Sequence, residues 1–282
     1  MENSILVRDL CKRFPGFTLD HVSFQVPKGR IVGFIGENGA GKSTTINLVL
    51  NGLKKDGGIV EVLGRNHIDA AVKNDVGVVF DTCNFPEVFT PQDVEKMLSG
   101  VYSTWDGQQF QAYLQRFGLP RRQRVGSFSK GMKMKLAIAG ALAHRPKLLI
   151  LDEATAGLDP VIRDEILDIL LDFIQDEEHA VFFSSHITSD IQKIADYVVL
   201  IHQGKIVFEE EKDALLDNYG ILRCGKNTVV EAEDYIVRRE TGVSTEYLVR
   251  DRAAAGRKYP KAVADAASLE DIMLFYIKGE AS

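Results

Sequence analysis

Residues 36–43, Gly-Glu-Asn-Gly-Ala-Gly-Lys-Ser, carry the spacing of a phosphate-binding P-loop. Chemistry of this kind needs glycine where backbone amides turn inward on phosphate oxygens. It also needs a lysine that reaches the β- and γ-phosphates and a hydroxyl that ligates Mg²⁺. Lys42 and Ser43 stand at those places, and Asn38, Gly39, Ala40, Gly41 and Thr44 complete the candidate nucleotide-binding stretch. A second run, Leu148-Leu-Ile-Leu151, ends in Asp152 and Glu153. A carboxylate closing a buried strand can hold Mg²⁺ through water, and one a step further on can polarise an attacking water. An apolar run ending in Asp-Glu is unremarkable alone. Beside a P-loop it predicts binding and hydrolysis of Mg-ATP.

Those residues are useful only if strands and helices bring them together. Short β-rich runs alternate with longer helical patterns, which predicts an α/β fold with a mostly parallel sheet. The clearest strands are expected at 30–35, 59–63, 77–80, 147–151, 180–184 and 197–201. Leu148 to Leu151 and Val181 to Phe183 are continuously apolar, as strands covered on both faces should be. The P-loop follows the first of these strands and opens a helix carrying Ile46, Leu48 and Val49, so a helix N-terminus faces the phosphates. From about Thr90 to Arg145 the texture is helical. Thr90, Pro91 and Asp93 form a helix start, and Phe110, Tyr113, Leu114 and Phe117 fall at helical spacing before Gly118. After Glu211 the pattern is less regular, and Ser268-Leu-Glu-Asp271 resembles a capping box opening a last helix through Ile277.

Three further elements surround the two phosphate-site runs. Phe128-Ser129-Lys130-Gly131-Met132 leads into a helix, Ala156-Gly157-Leu158-Asp159-Pro160 follows Glu153, and Ser184-Ser185-His186 ends a later strand. Five elements in this order and spacing resemble the nucleotide-binding subunit of ABC transporters over about residues 4–210. The resemblance implies a P-loop ATPase domain over 1–210. That domain would have an N-terminal antiparallel β part, a helical subdomain at about 84–145 and a small α/β accessory domain over 211–282. It implies that Ser129 and Gly131 face ATP bound to another subunit and that Asp159 belongs to a loop crossing that interface. ATP would then lie between this chain and a second copy or a paralogous ABC subunit. His186 matches the histidine that contacts the γ-phosphate, and Phe14 the aromatic that stacks on adenine, with Phe17 as the alternative. Glu153, His186 and Lys42 are thereby the catalytic candidates, with Ser43, Asp81 and Asp152 as the Mg²⁺ candidates.

The chain departs from the family pattern in two places. Asp81 stands where the family carries a Mg²⁺-ligating glutamine, and the signature reads Ser-Lys-Gly-Met instead of Ser-Gly-Gly-Gln. Lys130 therefore adds a positive charge that is expected near a phosphate site. This form, with the Leu-Glu-Asp-Ile of the C-terminal extension, resembles a bacterial subgroup tied to bacitracin resistance and peptide export. Phe85, Phe89, Met97 and Tyr102 fall where the family forms a groove for the membrane subunit.

Composition bounds the alternatives. The 282 residues hold 34 basic and 40 acidic side chains, a net charge of −6, which disfavours nucleic acid as a partner. Cys11, Cys83 and Cys224 are scattered and odd in number, which suits neither a disulfide framework nor zinc spacing. The N-terminus is polar, and the longest apolar runs are far shorter than a membrane span. The expectation is a cytoplasmic chain on the inner face of the membrane, held there by a separate permease. The alternatives are a soluble ABC ATPase without transport and a nucleotide-gated regulatory module.

Overall fold

The computed structural model describes residues 2–225, 230–240 and 244–281. Its central sheet runs in the order β10-β9-β3-β8-β7-β6. The strands are β3 (Ile31–Ile35), β6 (Val76–Val79), β7 (Leu148–Asp152), β8 (Ala180–Ser185), β9 (Tyr197–His202) and β10 (Lys205–Glu211). All neighbours are parallel except β9 and β10, which form an antiparallel hairpin. The expected strand positions hold to within one or two residues at each end. Every residue of β3, β7 and β8 is buried because both faces are covered.

Period-two alternation divides these strands between two cores. Ile31, Leu149, Leu151, Val181 and Phe183 face one core. It also holds residues of α4 (Lys130–Leu142), α5 (Pro160–Phe173) and α6 (Thr188–Ile194). Val32, Phe34, Leu148, Ile150 and Phe182 face the other, with α1 (Lys42–Val49) and a second sheet. That sheet is antiparallel, ordered β2 (Phe17–Pro27), β1 (Asn3–Phe14), β4 (Gly57–Val62), β5 (Arg65–Asn66). Phe24 of β2 meets Phe34 and Phe182 with ring centroids 5.5 and 5.2 Å apart, which joins the two sheets.

Between β6 and β7 the chain is helical. Thr90 caps α2 (Pro91–Ser99) with a complete capping box, and Asp106 caps α3 (Gly107–Arg116). Gly118 takes a φ of 64° just past α3, a left-handed conformation that glycine adopts at little cost. Beyond β10 and α7 (Lys212–Asn218) comes a third sheet, antiparallel throughout, that hydrophobic periodicity did not reveal. Its order is β14 (Val263–Ala266), β11 (Gly220–Cys224), β13 (Thr245–Val249), β12 (Val237–Glu240), β15 (Glu280–Ala281). One face packs α8 (Arg252–Lys258) over Leu222, Tyr247 and Val249. The other places Ile221, Leu248 and α9 (Leu269–Lys278) in the same core as α5 and α6. Among the described residues, no helix is long and apolar enough to cross a membrane.

Candidate functional site

Because β3, β7 and β8 run parallel, their carboxyl ends lie on one edge, where α/β sheets bind ligands. The P-loop leaves β3, Asp152 and Glu153 leave β7, and His186 leaves β8. Register brings them together: Asp152 pairs with Ser184 and Ile35 with Ser185.

Residues 36–41 form the loop between β3 and α1. Gly39 and Gly41 have φ of 85° and 116°, which side-chain-bearing residues rarely adopt. Gly41 caps α1 with no side chain, so the first amides of the helix are left to a ligand. The Lys42 side chain is 4% exposed, and its ammonium donates to the carbonyls of Gly36 at 2.7 Å and Glu37 at 3.1 Å. It also lies 3.1 Å from Glu153 Oε1, while Glu153 Oε2 is 2.6 Å from His186 Nδ1. Lys42, Glu153 and His186 therefore form one continuous chain of charge and hydrogen bonds. Burial pushes the Glu153 carboxyl up, but Lys42 and His186 outweigh it and hold its pKa below the ordinary glutamate value.

Asp152 is 6% exposed and accepts a 2.7 Å hydrogen bond from Ser184 Oγ. Ser184 lies inside a motif that points to His186, so nothing in the sequence singled out its hydroxyl as the partner of Asp152. Ser43, Asn47, Asp81, Asn84, Asp152 and Glu153 line one cleft at this edge. The departure at Asp81 thus leaves an exposed carboxylate facing the same space as Ser43 and Asp152. Asn84 joins them although no spacing signal marked it.

The remaining candidates lie elsewhere. Phe14 is 37% exposed at the tip of the β1–β2 hairpin, with its ring centroid 6.5 Å from that of Phe17. Phe17 is half-buried and packs on the P-loop, where a Cβ on Gly41 would come within 3.0 Å of its ring. Ser129 caps α4 by accepting from the Met132 amide, and Asp159 caps α5 by accepting from the Val161 and Ile162 amides. Gly131 packs on α5, where a Cβ would stand 2.3 Å from Ile162 Cδ1. None of Ser129, Gly131 and Asp159 lines the cleft that holds Ser43 and Asp152. Lys130 donates to the Ala156 carbonyl at 2.6 Å.

Comparison with known proteins speaks to the family and the fold. Residues 19–156 match the family described as ABC transporter. The chain is 34% identical over 220 residues to the bacitracin transport ATP-binding protein BcrA of Bacillus licheniformis, covering 76% of this chain and 72% of that one. It is 33% identical to the lantibiotic transport ATP-binding protein SrtF of Streptococcus pyogenes, covering 69% and 85%. A solved ATP-binding subunit of an ABC transporter superposes with a TM-score of 0.69 at 25% identity, over 76% of this chain and 92% of that one. The ADP conformation of MJ1267, an ATP-binding cassette, gives 0.64 at 24% identity, over 77% and 96%, and speaks to the fold alone. These likenesses favour a transporter ATPase over a soluble ATPase without transport. With its phosphate loop, paired carboxylates and histidine on one sheet edge, the chain belongs to the ABC transporter family as an ATP-binding, ATP-hydrolysing subunit.

Proposed function

We propose that this chain powers the export of peptide antimicrobials or similar amphipathic compounds, as one half of a head-to-tail pair seated on a separate permease. The observation that carries the reading is the Lys42–Glu153–His186 chain, set beside Ser43 and Asp152 in one cleft. In this reading the P-loop amides and Lys42 bind the phosphates, and Phe14, the more exposed of the two rings, stacks on adenine for about 1–3 kcal/mol. Glu153, held ionised, orients the attacking water and takes its proton, while His186 fixes the Glu153 carboxylate and reaches toward the γ-phosphate.

Mg²⁺ fits the donor set, which consists of hard oxygens: the Ser43 hydroxyl, the Asp152 carboxylate and the exposed Asp81 carboxylate. When bound there it supplies charge neutralisation at the phosphates. Ser129, Gly131 and Asp159 lie outside the cleft, which suits a second copy or a paralogous subunit bringing its own nucleotide to them. A groove beside residues 80–85 is lined by Phe85, Leu98, Tyr102 and Gly140 and suits a helix of the permease on the inner face of the membrane. Phe89 and Met97 do not line it. The names of BcrA and SrtF, both of peptide transport, support the substrate class.

The test is Mg-ATP turnover by tagged chain drawn from detergent-solubilised membranes, with Glu153→Gln beside it. Turnover is expected to drop by roughly 10²- to 10⁴-fold in the variant with ATP still bound, and a polytopic membrane protein should accompany both. Equal turnover in the two would remove Glu153 as base. A chain that arrives without a membrane partner in several detergents would end the transport reading.

A further inference from the structure

Lys130 is the first residue of α4, the end of a helix where aligned amides disfavour a cation. Its ammonium is nonetheless held, crossing to the loop after Glu153 and donating to the Ala156 carbonyl at 2.6 Å. The loop is shaped to receive it. Gly157 has a φ of 67°, and a Cβ there would stand 2.9 Å from Lys130 Nζ. The Ala156 amide in turn donates to the Glu153 carbonyl at 3.0 Å. Two hydrogen bonds therefore run from the lysine of the signature helix to the backbone of Glu153.

That backbone needs support. Glu153 has a φ of 52°, a left-handed conformation that a side-chain-bearing residue keeps only where its surroundings over-determine it. The Glu153 amide is fixed on the Ser184 carbonyl at 3.1 Å, and its carboxylate on Lys42 and His186. Ala156, steadied by Lys130, holds the third side. The same two segments are locked again further on, where Gly131 abuts Ile162 and Lys135 Nζ lies 2.6 Å from Glu165.

We propose that Lys130 is a positioning residue for Glu153, so that the helix carrying Ser129 and Gly131 and the backbone of Glu153 move as one body. The inference rests on the reading of Glu153 as base and of the paired subunits given above. A nucleotide of the partner subunit that engages the signature helix is then felt at this chain's own Glu153. A glycine at 130, as in the Ser-Gly-Gly-Gln form, has no side chain to carry that link.

The experiment is steady-state Mg-ATP hydrolysis by the full chain as wild type, Lys130→Met, Lys130→Arg, Lys133→Met and Glu153→Gln, with the melting temperature of each. Lys130→Met should lower kcat by roughly tenfold to a hundredfold, the scale of a slightly misplaced catalytic group. Its KM should stay within about twofold, since the nucleotide's own contacts are untouched. Lys130→Arg should recover part of kcat. Lys133→Met, whose amine only approaches Glu87 at 3.6 Å, should behave as wild type. A wild-type kcat in Lys130→Met overturns the proposal. So does a loss confined to KM, which would make Lys130 an attractor of the nucleotide's charge, or a melting temperature that collapses with the activity. A wild type that fails to hydrolyse Mg-ATP, or a Glu153→Gln chain that hydrolyses it normally, overturns instead the reading of the site itself.

Discussion

His144 shows how a residue with no part in the cleft registers the environment that folding builds. It is fully buried, its Nε2 lies 3.2 Å from the Val76 carbonyl, and its ring stacks on Tyr102 at 3.9 Å. Burial pulls its pKa below 6.5, and the hydrogen bond to the Val76 carbonyl offsets this only in part. The unfolded chain therefore takes up a proton near the ordinary value while the folded chain does not. Stability is full above about pH 6.5 and is lost as pH falls through the depressed folded pKa. His67 is shifted the same way by burial, with Lys55 adding to it. The melting temperature is expected to fall between about pH 7.5 and 5.5. The fall should be shallower, not absent, in His144→Gln. An unchanged slope in a pH series of thermal melts would count against a buried neutral His144. Glu153 was legible in the sequence because a strand end beside a P-loop is a strong pattern. Ser184, Asn84 and the reach of Lys130 were not, because each acts on a neighbour brought close by sheet register or chain crossing.

At the scale of the element, local rules served best where the local chemistry is complete. Ser268 caps α9 with both halves of a capping box: it accepts from the Asp271 amide at 3.1 Å, and Asp271 accepts from the Ser268 amide at 3.0 Å. Ser268→Ala is expected to cost about 1 kcal/mol. That is a drop of about 2–4 °C in a chain of this size, readable by circular dichroism. No change would mean that packing alone holds α9. The capping box at Thr90 and the left-handed glycine after Phe117 were equally readable for the same reason. Strands β11 to β14 were missed because they are four or five residues long, and β11 and β13 are buried on both faces. Helix α8 interrupts their sequence, so no sustained period-two run emerges.

For the whole molecule, the largest consequence is a shared core. Phe275 on α9 is fully buried, lies 4.7 Å from the Arg239 guanidinium, and belongs to the same cluster as Ile166, Leu170 and Ile191 of α5 and α6. The Gln192 side chain of α6 also accepts from the Leu269 amide at 3.5 Å. Phe275→Ala is expected to remove about 3–5 kcal/mol. Because the cluster is continuous, urea unfolding followed by fluorescence and by circular dichroism should shift together. A variant that destabilises only a fraction of the signal would show residues 211–282 folding apart from the body. The accessory region thus reaches α6, the helix that begins two residues after His186.

The sequence by itself determined the phosphate loop, the paired carboxylates, the alternating strands and helices, and the order of motifs that places the chain among ABC transporter subunits. Those properties depend on residues near one another along the chain: glycine where φ must be positive, apolar runs where both faces are covered, caps where amides would be left over. Only the tertiary structure decided which groups touch. Parallel pairing carried Asp152 to Ser184 and Glu153 to His186 over 32 and 33 residues. The approach of the start of α4 to the loop before α5 set the Lys130 ammonium on the Ala156 carbonyl, a tether on the loop beside Glu153. Such contacts arise from strand register and helix approach. Both are set by how the whole core closes, which no local window of sequence contains.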